Sequence, residues 1–127
     1  MKRIAKIAGL VLLLGAVFAA GALTVILNRP HVDFVNVEVR NNSGKGIKEI
    51  ELIEAHGTIL KIHGLPSQKT IKTGFYYPGE TGYSLRVVFN DNTVLKGGGL
   101  YVEPGYSVME TIKQTEIKSA YKSIYSP

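Results

Sequence analysis

The sequence contains no cysteine and no tryptophan. Without cysteine there is no disulfide framework, no thiolate nucleophile and no thiolate metal site, and no acceptor for a lipid just after an apolar leader. Without the Cys and Trp marks of true immunoglobulin domains, only the architecture of that class can be argued, not membership. Other absences matter as much. No G-x-S-x-G elbow accompanies the serines and histidines. The glycine run Gly97–Gly99 is not followed by Lys-Ser/Thr, and no helix begins there, so it is no phosphate cradle. His31, His56 and His63 are the only imidazoles. His56 and His63 stand near enough in sequence to meet across a hairpin, but no carboxylate completes a metal set around them. No catalytic, cofactor-binding or metal-binding residue is therefore assigned, and the expectation is a protein that is not an enzyme and carries no cofactor.

A concentration of positive charge is lacking too, although the formal net charge is +5. Lys2, Arg3 and Lys6 precede the first apolar run, and every acidic residue follows it. Beyond the run, twelve basic residues face ten acidic ones, a surplus of only two. A domain so close to neutral has no expected affinity for nucleic acid, and no small-molecule substrate is evident.

The longest feature present is apolar. Ile7–Leu27 is 21 residues without a charge. As a helix at ~1.5 Å per residue it spans roughly 30 Å, the thickness of a bilayer core. Three cations precede it and Arg29 alone follows closely, so the positive-inside rule puts the N-terminus in the cytoplasm and the rest of the chain outside. Residues 1–30 are thus expected to be a signal-anchor with a single transmembrane helix. The competing reading is a signal peptide cleaved at Ala20-Gly21-Ala22. It would leave the mature chain starting on Leu-Thr-Val-Ile-Leu, which has no reason to exist in water. Both readings export the remainder, to the periplasm or the cell exterior.

From residue 31 the pattern changes to short alternating runs divided by turn residues. Val35, Val37 and Val39 fall on one face of a strand and Phe34 on the other. Ile47–Glu54 is a second strand, although Ile47, Ile50 and Ile53 would also suit a helical turn. Thr58–His63, Ile71–Tyr77, Thr93–Lys96, Leu100–Val102 and Tyr106–Ile112 read the same way. Tyr83, Leu85, Val87 and Phe89 alternating with Ser84, Arg86 and Val88 form the clearest period of two. Glu49, Glu51 and Glu54 with Lys48 read as a solvated strand face. Pro78-Gly79 and Pro104-Gly105 are type II turn signals. About seven strands at roughly ten-residue spacing predict an antiparallel β-sandwich, immunoglobulin-like in architecture, over residues 31–113. In residues 114–127 the spacing of Ile117, Tyr121, Ile124 and Tyr125 fits a short C-terminal helix, or an extension of the last strand. Asn41-Asn42-Ser43 matches a glycosylation acceptor, a three-residue pattern of low specificity.

Aromatic residues supply the one functional lead. Tyr76, Tyr77, Tyr83, Tyr101 and Tyr106 all fall at strand ends or beside glycine turns, where a tyrosine offers contact area with a polar handle. Three consecutive glycines weaken a strand. Gly97, Gly98, Gly99, Tyr101 and Tyr106 are accordingly the candidate protein-binding residues, open to a partner backbone at a sheet edge or, in the plainer reading, a bulge that only bends the strand. The expected function is a membrane-anchored envelope protein whose exported domain binds another protein, as an accessory subunit of a membrane complex. The alternative is an immunity or inhibitor protein that neutralises a toxin or hydrolase at the membrane face.

Overall fold

The computed structural model describes residues 34–122. The apolar run over 7–27 and the last residues, 123–127, lie outside the described residues. Among the described residues no helix is long and apolar enough to cross a membrane, and all regular structure is β. The strands are β1 (Phe34–Asn41), β2 (Ile47–Glu54), β3 (Gly57–Leu65), β4 (Thr70–Tyr76), β5 (Thr81–Gly82), β6 (Ser84–Phe89), β7 (Val94–Gly97), β8 (Tyr101–Val102), β9 (Ser107–Ile112) and β10 (Ile117–Tyr121).

Two four-stranded sheets form, in the orders β10-β9-β1-β4 and β3-β2-β6-β7, with β5 and β8 making a separate two-stranded ribbon. The alternation in the sequence explains the core directly. Val35, Val37 and Val39 from the first sheet and Leu85, Val87 and Phe89 from the second are at most 2% exposed and belong to one buried cluster. Two sheets closing over a shared core in this way are consistent with a β-sandwich.

Three expectations need correction. The sheets are not all antiparallel, because β1 and β9 run parallel, Asn36 opposite Ser107 through Asn41 opposite Ile112. A period of two is the same in both kinds of pairing, so it cannot report strand direction. The strand count is ten among the described residues, not about seven; the runs read from the sequence lack the two-residue β5 and a separate β10. Residues 117–121 are strand and not helix. A tight turn, closed by Lys113 N–H donating to the Glu116 carbonyl at 2.9 Å, sends the chain back along β9. Pairing from Ile117–Ile112 to Tyr121–Val108 follows.

The faces of the second sheet make a sharp energetic contrast. Leu85 is 1% exposed in the core. Its neighbour Arg86 points to the other face, where it meets Glu51 at 3.1 Å and Lys61 meets Glu51 at 3.0 Å. The Lys61 ammonium, with Arg86 beside it, holds the Glu51 carboxyl below its usual range. Leu85→Ala is expected to cost about 3 kcal/mol through lost burial and the cavity left behind. Arg86→Ala should cost under about 1 kcal/mol, as partly exposed ion pairs do. Chemical denaturation of both variants checks the assignment; equal losses would mean the two faces are misassigned.

Candidate functional site

The candidate residues lie where the chain leaves the second sheet and passes to the ribbon. Gly97, Gly98 and Gly99 all have positive φ, at 149°, 64° and 87°. Only glycine enters this region freely. At two of the positions space is also closed. A Cβ on Gly98 would come within 2.5 Å of Ile117 Cγ2, and one on Gly99 would be driven into the Tyr83 carbonyl. Around Gly97 a Cβ would meet nothing within 4 Å.

Beneath this strap lies an acid that sequence reasoning missed. Glu110 on β9 is fully buried. The Tyr83 hydroxyl donates to its Oε1 and the Ser119 hydroxyl to its Oε2, each at 2.5 Å. Gly99 N–H donates in turn to Ser119 Oγ at 2.6 Å. One carboxyl thus ties together β9, β10, the approach to β6 and the glycine strap. Burial pushes the Glu110 carboxyl up, and the Ser119 and Tyr83 hydrogen bonds oppose that rise. Burial, reinforced by the hydrogen bond to Glu110, pushes the Tyr83 phenol up as well. The Tyr83 ring also packs edge-on to Phe75, with centroids 6.1 Å apart.

Past the strap, three tyrosines converge. Tyr101 on β8, Tyr106 just before β9 and Tyr121 at the end of β10 are 46%, 37% and 53% exposed. The rings of Tyr106 and Tyr121 meet edge to face at 5.7 Å and 89°. The Tyr121 hydroxyl donates to the Tyr101 carbonyl at 2.7 Å. The Tyr101 hydroxyl donates to Glu80, and that bond, with some desolvation, pushes its phenol up to about 12. Together with Gly105, Ser107 and Lys122 these rings line a groove of about 350 Å³. Lys122 Nζ is held 2.6 Å from Glu38, whose carboxyl this hydrogen bond keeps below its usual range. Three of the six residues lining the groove are therefore aromatic, and its one lysine is already paired.

Of the sequence-derived candidates, Tyr101 and Tyr106 come together in this groove, whereas Gly97, Gly98 and Gly99 do not line it. Gly98 packs towards Glu110 and Ile117. Gly99 and Tyr101 border a separate shallow depression with Ala55 and Gly82. Tyr121 is the groove residue that the reading of the sequence left out, because its spacing to Ile117 suggested a helix. Tyr83 is buried, Tyr77 half-buried and Tyr76 the most exposed aromatic among the described residues.

The remaining motifs take structural places. His63 Nδ1 lies 3.7 Å from Glu49 on the outer face of the second sheet, and the His56 backbone N–H donates to Glu54. His31 lies outside the described residues. Asn41, the acceptor position of the glycosylation pattern, is fully buried. Its amide donates to the Lys45 and Leu65 carbonyls at 2.8 and 3.0 Å, and its oxygen accepts from Ser43 N–H and Oγ. That side chain closes the turn after β1, and its nitrogen has no approach left for a sugar donor.

No family model matches the chain, and no curated protein matches it. It is similar in fold to a solved structure described as the NMR structure of the protein from Eubacterium rectale. The TM-score is 0.52 at 13% identity, over 77% of this chain and 98% of that one. At this identity the likeness concerns the fold alone.

Proposed function

We propose that the chain is a membrane-anchored envelope protein whose exported domain, an immunoglobulin-like sandwich, binds another protein without catalysing a reaction. In this reading the segment over 7–27 spans the membrane, with the N-terminus in the cytoplasm. The domain then serves as an accessory subunit of a membrane complex. The observation that carries the binding role is the groove of Tyr101, Tyr106 and Tyr121. Its three rings come from three different strands or strand entries, and all remain open to water. Tyrosine clustered around a small concavity is the composition of an interface centre, where a few aromatic residues carry most of the binding energy. A volume of about 350 Å³ suits one or two side chains of a partner, inserted as an anchor.

The test uses the full chain in detergent extracts of its own membranes, comparing recovered partners for wild type, Tyr106→Ala and Tyr121→Ala. Truncating an anchor residue is expected to weaken binding by about 2 kcal/mol, roughly thirtyfold. Recovery of the same partners by both folded variants at wild-type levels would sink the groove as the binding site.

A further inference from the structure

Exposed apolar side chains are not spread evenly over the domain. Among the described residues, the exposed large hydrophobic residues are Phe34, Tyr76, Tyr101, Tyr106, Tyr121 and Val94. All but Val94 gather at the end of the first sheet where β1 begins. Phe34 opens β1 and stands opposite Tyr76, the last residue of β4. Gly105 N–H donates to the Phe34 carbonyl, and Asn36 N–H donates to that of Tyr106. The opposite end carries charge pairs instead, with Lys45 2.8 Å from Asp91 and Lys113 3.1 Å from Glu116.

The aromatic end is also the end nearest the apolar segment along the chain. Only the six residues 28–33 separate Leu27 from Phe34. Fully extended they reach ~20 Å. The eight-residue β1 alone is ~26 Å long. In the anchored reading, at most ~20 Å of chain separates the start of β1 from the end of the apolar segment. Phe34 and Tyr76 share the outer face of the sheet, opposite the buried Val35 and Phe75. The Phe34 ring lies over Gly74, where a Cβ would come within 3.0 Å of it. Tyr76 is 60% exposed, more than any other large hydrophobic residue described.

We propose that Phe34 and Tyr76 seat this end of the domain in the headgroup layer of a lipid membrane. The proposal rests on the anchoring read above, and deepens it by fixing which end of the domain meets the lipid. The Tyr76 ring, apolar with a hydroxyl at its edge, favours the headgroup level of a bilayer, and the wholly apolar Phe34 ring adds buried area beside it. Charge is not the attraction. Glu54, Glu80 and Glu103 stand at the same end beside Tyr77, Tyr101 and Tyr106, and Lys122 there is paired with Glu38, so the contact belongs to the rings and does not need anionic lipid.

The chain has no tryptophan, so a single introduced indole reports its own surroundings. Full-length Tyr76→Trp and Val94→Trp variants are reconstituted in phosphatidylcholine vesicles whose acyl chains carry bromine close to the headgroups. Circular dichroism confirms folding, and Phe34→Trp replaces Tyr76→Trp if the latter does not fold. Emission from Tyr76→Trp is expected to be blue-shifted and quenched several-fold more than that from Val94→Trp. Adding anionic lipid should change neither. A folded chain that floats with the vesicles but shows no quenching, or equal quenching at both positions, overturns the inference alone. So does quenching at position 76 that requires anionic lipid. A chain that fails to float overturns the anchoring and the inference together.

Discussion

Gly99→Ala is expected to destabilise the domain by about 4 kcal/mol, combining the strain of a side chain at positive φ with overpacking against a fixed neighbour. The φ of Gly99 is 87°, and the added Cβ would be driven into the Tyr83 carbonyl. A carbonyl in the backbone leading into β6 cannot rotate away as a flexible side-chain end could. Either the strap lifts or β6 shifts, and a shift of β6 disturbs the core through Leu85. Gly97→Ala is the control. Its φ of 149° lies at the margin of the strained region and the space around it is open, so the expected cost is about 1 kcal/mol. Urea unfolding of both variants measures the difference. Equal losses would mean that the glycines serve chain flexibility in general and not a close approach of two backbones. The contrast also bears on the site. Gly98 and Gly99 are required by the contacts of the strap itself, so the glycines need no ligand to explain them, and the binding proposal stands on the tyrosines.

How much of this was legible in the sequence depends on what each feature asks of the chain. Tyr83, Leu85, Val87 and Phe89 alternate from the residue before β6 to its end, and all are buried. The second strand was harder. Ile47, Ile50 and Leu52 are the inward residues of β2, and the register slips between Ile47 and Glu49. A bulge adds a residue to one strand, which turns a spacing of two into three and mimics a helical turn. β10 misled for a related reason, because Ile117 and Tyr121 are four residues apart and a strand repeats at four as readily as a helix does. The parallel pairing of β1 with β9 brings together segments far apart in sequence, and nothing local encodes it. The groove inherits that limit. Tyr106 lies beside β1 only through this pairing, and Tyr121 joins it only once β10 has turned back along β9. Glu110, by contrast, could have been found. Val108, Glu110 and Ile112 share one face of β9, and an acid between two apolar residues on an inward face announces either a partner or a site.

Glu110→Ala is expected to cost about 4 kcal/mol, because it opens a cavity and leaves the buried Tyr83 and Ser119 hydroxyls without an acceptor. Glu110→Gln separates charge from shape. The amide oxygen still accepts from Tyr83, and the amide nitrogen can donate to Ser119 Oγ, so most of the network survives without an ionisable group. The two forms should then differ in their response to pH. Burial raises the Glu110 carboxyl above its ordinary value in the folded state. A group shifted that way contributes stability that is fully present below its unfolded pKa, ~4.3 for glutamate, and lost as pH rises through the raised folded value. Glu38 and Glu51 act in the opposite sense. Their carboxyls are held low by lysine hydrogen bonds, so their contribution is present above the ordinary glutamate value and lost as pH falls through the lowered one. Wild type should therefore lose stability between the ordinary glutamate range and the raised Glu110 value. Glu110→Gln should stay level over that interval and keep the decline at more acid pH that Glu38 and Glu51 impose. Thermal unfolding followed across the acid and neutral range distinguishes the two curves. Parallel curves would mean that Glu110 is ionised at its ordinary pH inside the fold, with its hydrogen bonds fully offsetting the burial of the charge.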